Sequence, residues 1–202
     1  MKLRTLGVVW MVAALAACGG GGSDPAPAPT PSPTPAPTPA PTPAPSPAPA
    51  PSPASATTCG LSDFEAGLLA RINQVRAAGA SCGARGSFAP AGALTWNAQL
   101  TTAAAAHSQD MVTNNFFSHT GSNGSSMSAR VDAAGYAWSS LGENIAAGYG
   151  TVTAVMDGWM ASDGHCANIM NPGFTQVGVA CIRGSSSNSY GSYWTMDLAS
   201  PR

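Results

Sequence analysis

The chain has 202 residues, a formal net charge of −1, 18 prolines and five cysteines. Residues 59–202 carry six arginines, no lysine and eight acids, a net charge of −2. No basic cluster is present, which excludes a nucleic-acid footprint, and the acidic excess is too small to specify a partner.

The chain opens Met1-Lys2-Leu3-Arg4, stays apolar over residues 5–17 and reaches Cys18. A basic start, a short apolar stretch and small residues before a cleavage point describe a signal peptide over residues 1–17. The stretch is too short for a bilayer, which takes about 20 apolar residues. Leu15-Ala16-Ala17-Cys18 is similar to a bacterial lipobox, in which the cysteine is diacylated and the chain is cut just before it. The expected partner is therefore a membrane, reached through a lipid on Cys18. Gly19 follows Cys18 where Asp would favour inner-membrane retention, so that resemblance implies an outer-membrane lipoprotein of the cell envelope. The alternative is an ordinary signal with an incidental cysteine.

Residues 18–58 read as a linker. Gly19 to Gly22 and Ser23 form a flexible leash, and proline then occupies every odd position from Pro25 to Pro53. Such a repeat has too little apolar side chain for a core. As polyproline II at about 3.1 Å per residue it extends on the order of 90 Å, a spacer between lipid and domain.

Residues 59–202 suffice for one domain. Ser62-Asp63-Phe64-Glu65 matches a capping box, and Phe64, Leu68, Ile72 and Val75 follow at helical spacing until Gly79. Asn73 and Arg76 lie on neighbouring turns. Asn97 caps a second predicted helix reaching Asn114, with Leu100, Ala104, His107 and Met111 on one face. Its run Ala103-Ala104-Ala105-Ala106 permits another element to approach closely, and His107 reads as a packing histidine with one hydrogen bond. A polar loop spans 121–126, and a short helix runs through Ala129, Val131 and Ala134 to Gly135. Residues 141–147 form a predicted strand bearing Glu143. Residues 151–162 are helical, with Val152, Val155 and Trp159 on one side. Residues 176–182 and 192–199 alternate as half-buried strands, joined into a hairpin by the loop 184–191. Helices come first and most strands late, so the class is α+β.

Only two glutamates and three histidines occur in the chain. His119 lies in Phe117-Ser118-His119-Thr120-Gly121, Glu143 in Gly142-Glu143-Asn144-Ile145, and His165 in Ser162-Asp163-Gly164-His165-Cys166. Two imidazoles and a carboxylate that converge can hold a zinc ion with water in the fourth place, or move a proton. The gaps exceed twenty residues, so only a fold can supply that geometry. A purely structural reading has both imidazoles bonding backbone carbonyls. Ser162, Asp163 and His165 do not make a nucleophile triad: they are too close along the chain, and no Gly-x-Ser-x-Gly elbow is present.

From residue 68 to 198 the chain resembles the CAP superfamily of cysteine-rich secretory proteins, antigen 5 and plant pathogenesis-related class 1 proteins. The resemblance rests on Asn73-Gln74-Val75-Arg76, Leu94-Thr95-Trp96-Asn97, Phe117-Ser118-His119, Gly142-Glu143-Asn144-Ile145, Trp159 with Ser162 and Gly164-His165, Val177-Gly178-Val179 and Tyr193-Trp194-Thr195. It implies an α-β-α sandwich with a central antiparallel sheet, and a cleft carrying two histidines and two acids. His119, Glu143 and His165 match three of those four positions. Ser162 stands where eukaryotic members have the second acid, which leaves a three-ligand metal site intact but removes a carboxylate pair. The family implies several functions: lipid binding, divalent-metal binding and, for a few members, proteolysis. The expected function is a surface-anchored module binding an apolar small molecule or envelope component in a cleft of His119, Glu143, Ser162 and His165. The alternatives are a metal-dependent or acid-base hydrolase centred on His119, Glu143 and His165, and a display domain. A divalent metal such as zinc is the one cofactor considered, and a monomer is expected.

Cys59, Cys82, Cys166 and Cys181 make an even set, as expected of two disulfides in an exported domain, with three connectivities open. The expected pairs are Cys166–Cys181, holding the segment after His165 to a strand, and Cys59–Cys82. The latter must fold both flanks back along a helix about 23 Å long.

Overall fold

The computed structural model describes residues 56–202. The expected signal peptide, the Cys18 anchor and nearly all of the linker lie outside the described residues. The described residues contain five α-helices: α1 (Phe64–Ala78), α2 (Ala98–Thr113), α3 (Met127–Ala133), α4 (Val152–Met160) and α5 (Asp163–Met170). A two-stranded ribbon, β1 (Ala80–Ser81) with β2 (Ser87–Phe88), follows α1. The main sheet is built from β3 (Thr95–Trp96), β4 (Trp138–Ala147), β5 (Gln176–Arg183) and β6 (Ser192–Pro201), in the order β3-β5-β6-β4.

β4, β5 and β6 pair antiparallel, as expected, but β3 pairs parallel to β5, so the sheet is mixed. A two-residue strand is too short to show alternation, which is why the sequence pattern missed it. Farther along that edge, Thr58 bridges Cys181 in parallel, so pairing with the sheet begins in residues 57–58.

Strand alternation sends side chains to two helical layers. Val177, Val179, Cys181, Trp194, Met196 and Leu198 meet Phe64, Leu68 and Ile72 of α1, Val155, Met156 and Trp159 of α4, and Ile169 of α5. The opposite face packs on α2 and α3, through Leu100, Ala103 and Val131 against Ala199, and Met111 against Ile145 and Tyr193. This is the expected α-β-α sandwich. Glycine is required at 178, because a Cβ there would collide with the α2 backbone at Leu100 and Thr101.

Asn97 caps α2 by accepting from the backbone N–H groups of Gln99 and Leu100. The capping box before α1 does not form. Asp63 occupies the cap position at φ 51° without a side-chain cap bond, and Cys59 and Gly60 are also left-handed. A capping box needs extended backbone at that point. Here the chain must instead turn sharply from the sheet edge into the helix. Asn73 exchanges two hydrogen bonds with the Leu94 backbone, at 3.0 and 2.8 Å. Arg76 is fully buried and donates to the carbonyls of Gly92, Ile169, Asn171 and Phe174, tying α1 to α5 and to the loops beside it.

The disulfides differ from expectation. They are Cys59–Cys181 and Cys82–Cys166, with Cα–Cα distances of 5.2 and 5.4 Å. The chain does not fold back along α1, which keeps Cys59 and Cys82 at opposite ends of a rigid rod. Each instead meets a later element: Cys59 joins β5 at the sheet edge, and Cys82 joins α5.

Candidate functional site

β4 is the outer strand of the sheet, and α4 and α5 cover its free edge. Asn168 donates to the Glu143 carbonyl at 3.2 Å, and Trp159 Nε1 donates to the Ile145 carbonyl at 3.4 Å. These side chains replace the ladder partners that an edge strand lacks. Asn144 adds a bond to the His165 carbonyl at 3.1 Å and accepts one from Asn168 at 2.9 Å. The helix carrying His165 is thereby docked beside the strand carrying Glu143. The Cys82–Cys166 bridge secures it one residue after His165, and Asp163 accepts from the Ala84 N–H at 2.9 Å.

His119 lies in the loop after α2. Asp110 shapes that loop by accepting from the Ser122 N–H and hydroxyl and from Asn114. His107 is buried, as expected, and its Nε2 donates to the Ser118 carbonyl at 2.9 Å. Arg130 of α3 donates to the carbonyls of His119 and Ser125 and to Glu143 Oε2, the last at 2.6 Å. The other carboxylate oxygen, Oε1, pairs with His119 Nδ1 at 2.8 Å. The Glu143 side chain is 3% exposed while that of His119 is 57% exposed. The carboxylate is thus a buried support for an imidazole facing solvent.

Burial pushes the Glu143 carboxyl up, but the His119 hydrogen bond and the Arg130 charge outweigh it and hold it below the usual carboxylate range. Burial, then the charge of His119, lower the pKa of His165. The structure therefore joins His119 and Glu143 directly. It places His165 on the neighbouring helix, within electrostatic reach of His119, where it lines a pocket together with Ser162. Among the described residues, no group of three or more His, Cys, Asp or Glu side chains is disposed to share a metal ion. Both Glu143 oxygens are engaged, so in this arrangement the carboxylate orients His119 in the way outer carboxylates orient metal-binding imidazoles.

The pocket beside His165 has a volume of about 290 Å³. Its walls are Ile145, Ala146, Ala147, Trp159 and Tyr149, and its mouth is formed by Phe117 and Tyr190. A shallower depression holds His119, Thr120, Ser126, Met127 and Glu143.

Two site residues escaped the sequence reading. Arg130 sits in an apolar helical stripe, where an arginine with no exposed face signals a buried partner. Asp197 lies opposite Glu143 in the β4–β6 register and is 1% exposed. Burial, then the charge of Glu143, push its carboxyl well above the usual range. The signal was its place in strand alternation: a carboxylate between Thr195 and Ala199 on the face turned to α2. A second acid therefore stands beside Glu143, although position 162 is serine.

The profile of the Cysteine-rich secretory protein family, CAP, matches residues 69–198. The chain belongs to the CAP family. Two Bacillus subtilis proteins are similar to this CAP domain. YkwD is 38% identical over 99 residues, covering 49% of this chain and 36% of YkwD. The membrane protein YlbC is 34% identical over 90 residues, covering 45% and 26%. Among solved structures, an extracellular protein containing an SCP domain from Bacillus anthracis aligns with a TM-score of 0.52 and 27% identity. That alignment covers 71% of this chain and 43% of the other. This CAP chain spans less than half the length of each of these relatives.

Proposed function

We propose that this CAP protein is a surface-anchored module that binds an apolar small molecule, or the apolar part of an envelope component, in the pocket beside His165. The observation that carries this reading is the mouth of that pocket. Phe117 and Tyr190 are the large hydrophobic side chains left exposed among the described residues, each at 43%, and their rings lie 5.9 Å apart. Exposed aromatic surface over an apolar cavity marks a binding site, and Ser162 and His165 offer a few polar groups to orient a ligand. The lipobox-like sequence at Cys18 and relatives named as extracellular or membrane proteins support a lipid-anchored place at the cell envelope. Titrating the mature chain with the neutral fluorophore N-phenyl-1-naphthylamine tests this. Phe117→Ala and Tyr190→Ala should each weaken binding by about tenfold, the scale of about 1.4 kcal/mol for one aromatic anchor. Binding that is absent, or indifferent to both substitutions, sinks the reading.

A second reading rests on the His119–Glu143 pair. Glu143 fixes the Nδ1 proton of an exposed imidazole, leaving Nε2 to act as a base on a substrate lying in the adjacent depression. This is the acid-base hydrolase alternative. A zinc ion belongs with it only if His119 and His165 supply imidazoles and Glu143 keeps its orienting role. Stoichiometric zinc in purified protein, lost in His119→Ala, would favour this reading over the first.

A further inference from the structure

The pocket beside His165 has a direction. β4 and the helices covering its edge meet in opposite chain order. Asn144 donates to the His165 carbonyl, Trp159 donates to the Ile145 carbonyl, and the Tyr149 ring meets α4 at Gly158. Ser162 and His165 therefore stand at one end of the pocket and Tyr149 at the other, where the chain turns from β4 into α4. Ala146 and Ala147 line β4 between them. The Ser162 hydroxyl makes no capping bond to α5, which leaves it open to a ligand. One end is thus polar and the run away from it is apolar.

The Tyr149 ring closes the far end. Its phenolic edge lies directly on the α4 backbone: a Cβ at position 158 would come within 2.5 Å of the hydroxyl oxygen and 2.7 Å of the ring carbon bearing it. Real side chains do not pack that closely, so glycine at 158 is what seats the ring. The root of the side chain is fixed as well. The Tyr149 carbonyl accepts from Trp194 Nε1 at 2.9 Å and from the Ser192 hydroxyl at 2.8 Å. The Gly148 N–H donates to the Ser192 carbonyl at 2.9 Å. The ring is held at its root by the sheet and seated at its tip on a helix.

We propose that the ligand of this pocket is an amphiphile with one alkyl chain, its polar head at Ser162 and His165, and that Tyr149 is the stop that sets the chain length accepted. The proposal rests on the apolar-pocket reading above. A volume of about 290 Å³ lies at the bottom of the range for small-molecule sites, room for one chain rather than two. Each methylene that leaves water for the pocket tightens binding about fourfold. A methylene that would have to pass Tyr149 stays in water and adds nothing. Affinity therefore climbs with chain length and then levels.

The test is displacement of N-phenyl-1-naphthylamine from the mature chain by straight-chain alkan-1-ols, hexanol to dodecanol, each kept below its solubility. In the native chain the half-displacing concentration should fall about fourfold per added carbon up to one length and then stop falling. Tyr149→Ala should move that break to longer alcohols, so that those just past the native break bind about tenfold tighter or better. Tyr149→Phe, which keeps the ring, should restore the native break. Should Tyr149→Ala not fold, Tyr149→Leu carries the same expectation. Ser162→Ala should weaken every alcohol by about fivefold, as loss of one hydrogen bond to the head. A fluorophore that does not bind removes the pocket reading and this proposal with it. A fluorophore that binds but is displaced by no alcohol, or with no break in the native chain, overturns the proposal alone. So does a break at the same length after the ring is removed, which would mark a solubility limit. Equal affinities in Ser162→Ala overturn the placement of the head.

Discussion

Glu143→Gln is the most informative single substitution, because it preserves volume and removes one charge. In the native site one carboxylate oxygen receives Arg130 at 2.6 Å and the other receives His119 at 2.8 Å. Glutamine has one acceptor oxygen. Whichever donor it serves, its amide N–H groups face the other. The larger loss is electrostatic. Arg130 is buried, and removing the partner of a buried ion pair typically costs about 3–5 kcal/mol. The expected cost here is about 3 kcal/mol, at the low end, because Asp197, the neighbouring acid, can partly compensate Arg130. For a domain of this size that lowers the melting temperature by about 6–12 °C. Denaturant unfolding followed by tryptophan fluorescence, with disulfides intact, measures it, since Trp159 and Trp194 are buried. The pH dependence has a definite sign. The folded pKa of Glu143 is depressed, so its contribution is complete above the unfolded value of about 4.3 and is lost as pH falls through the folded one. The gap between native and variant should be full at pH 7 and should close below about pH 4. A cost under about 1 kcal/mol at pH 7, or one that persists unchanged at pH 3, would refute the argument.

Asp197→Asn should raise stability at pH 7 and make no difference near pH 3. The folded pKa of Asp197 is raised, so its native contribution is complete below about pH 3.9 and is lost as pH rises towards the folded value; no gain at pH 7 in denaturant unfolding would contradict this. His119→Ala should raise the His165 pKa read by NMR, because burial alone would then depress it; an unchanged value would mean that the two imidazoles do not sense each other. Peptide mapping under non-reducing conditions should recover Cys59–Cys181 and Cys82–Cys166. Replacing Cys82 and Cys166 together by serine should cost about 2–5 kcal/mol and loosen the helix bearing His165.

Much of the fold was legible in the sequence because its causes are local. The α2 stripe of Leu100, Ala104, His107 and Met111 forms the buried helical face expected, and the Asn97 side chain caps the helix as its residue type suggested. The β5 and β6 runs were legible as strands, but not as the half-buried ones expected: nearly every residue of both is buried, because helices cover the sheet on either face. The family resemblance put His119, Glu143 and His165 in one cleft, whereas the structure joins only His119 and Glu143 by a hydrogen bond. Tertiary structure alone decided what depends on distant segments meeting. The disulfide pairing follows from where α1 directs its two ends, and no spacing along the chain encodes that. The capping box at Ser62 failed because the chain had to turn off the sheet edge there. The parallel strand β3 is two residues long, too short to show a period. Asp197 and Arg130 are ordinary polar residues in isolation. They became part of the site because β4 and β6 set the two acids opposite each other and α3 closed a guanidinium over them, and an interaction between buried charges exists only once the fold has removed the water between them.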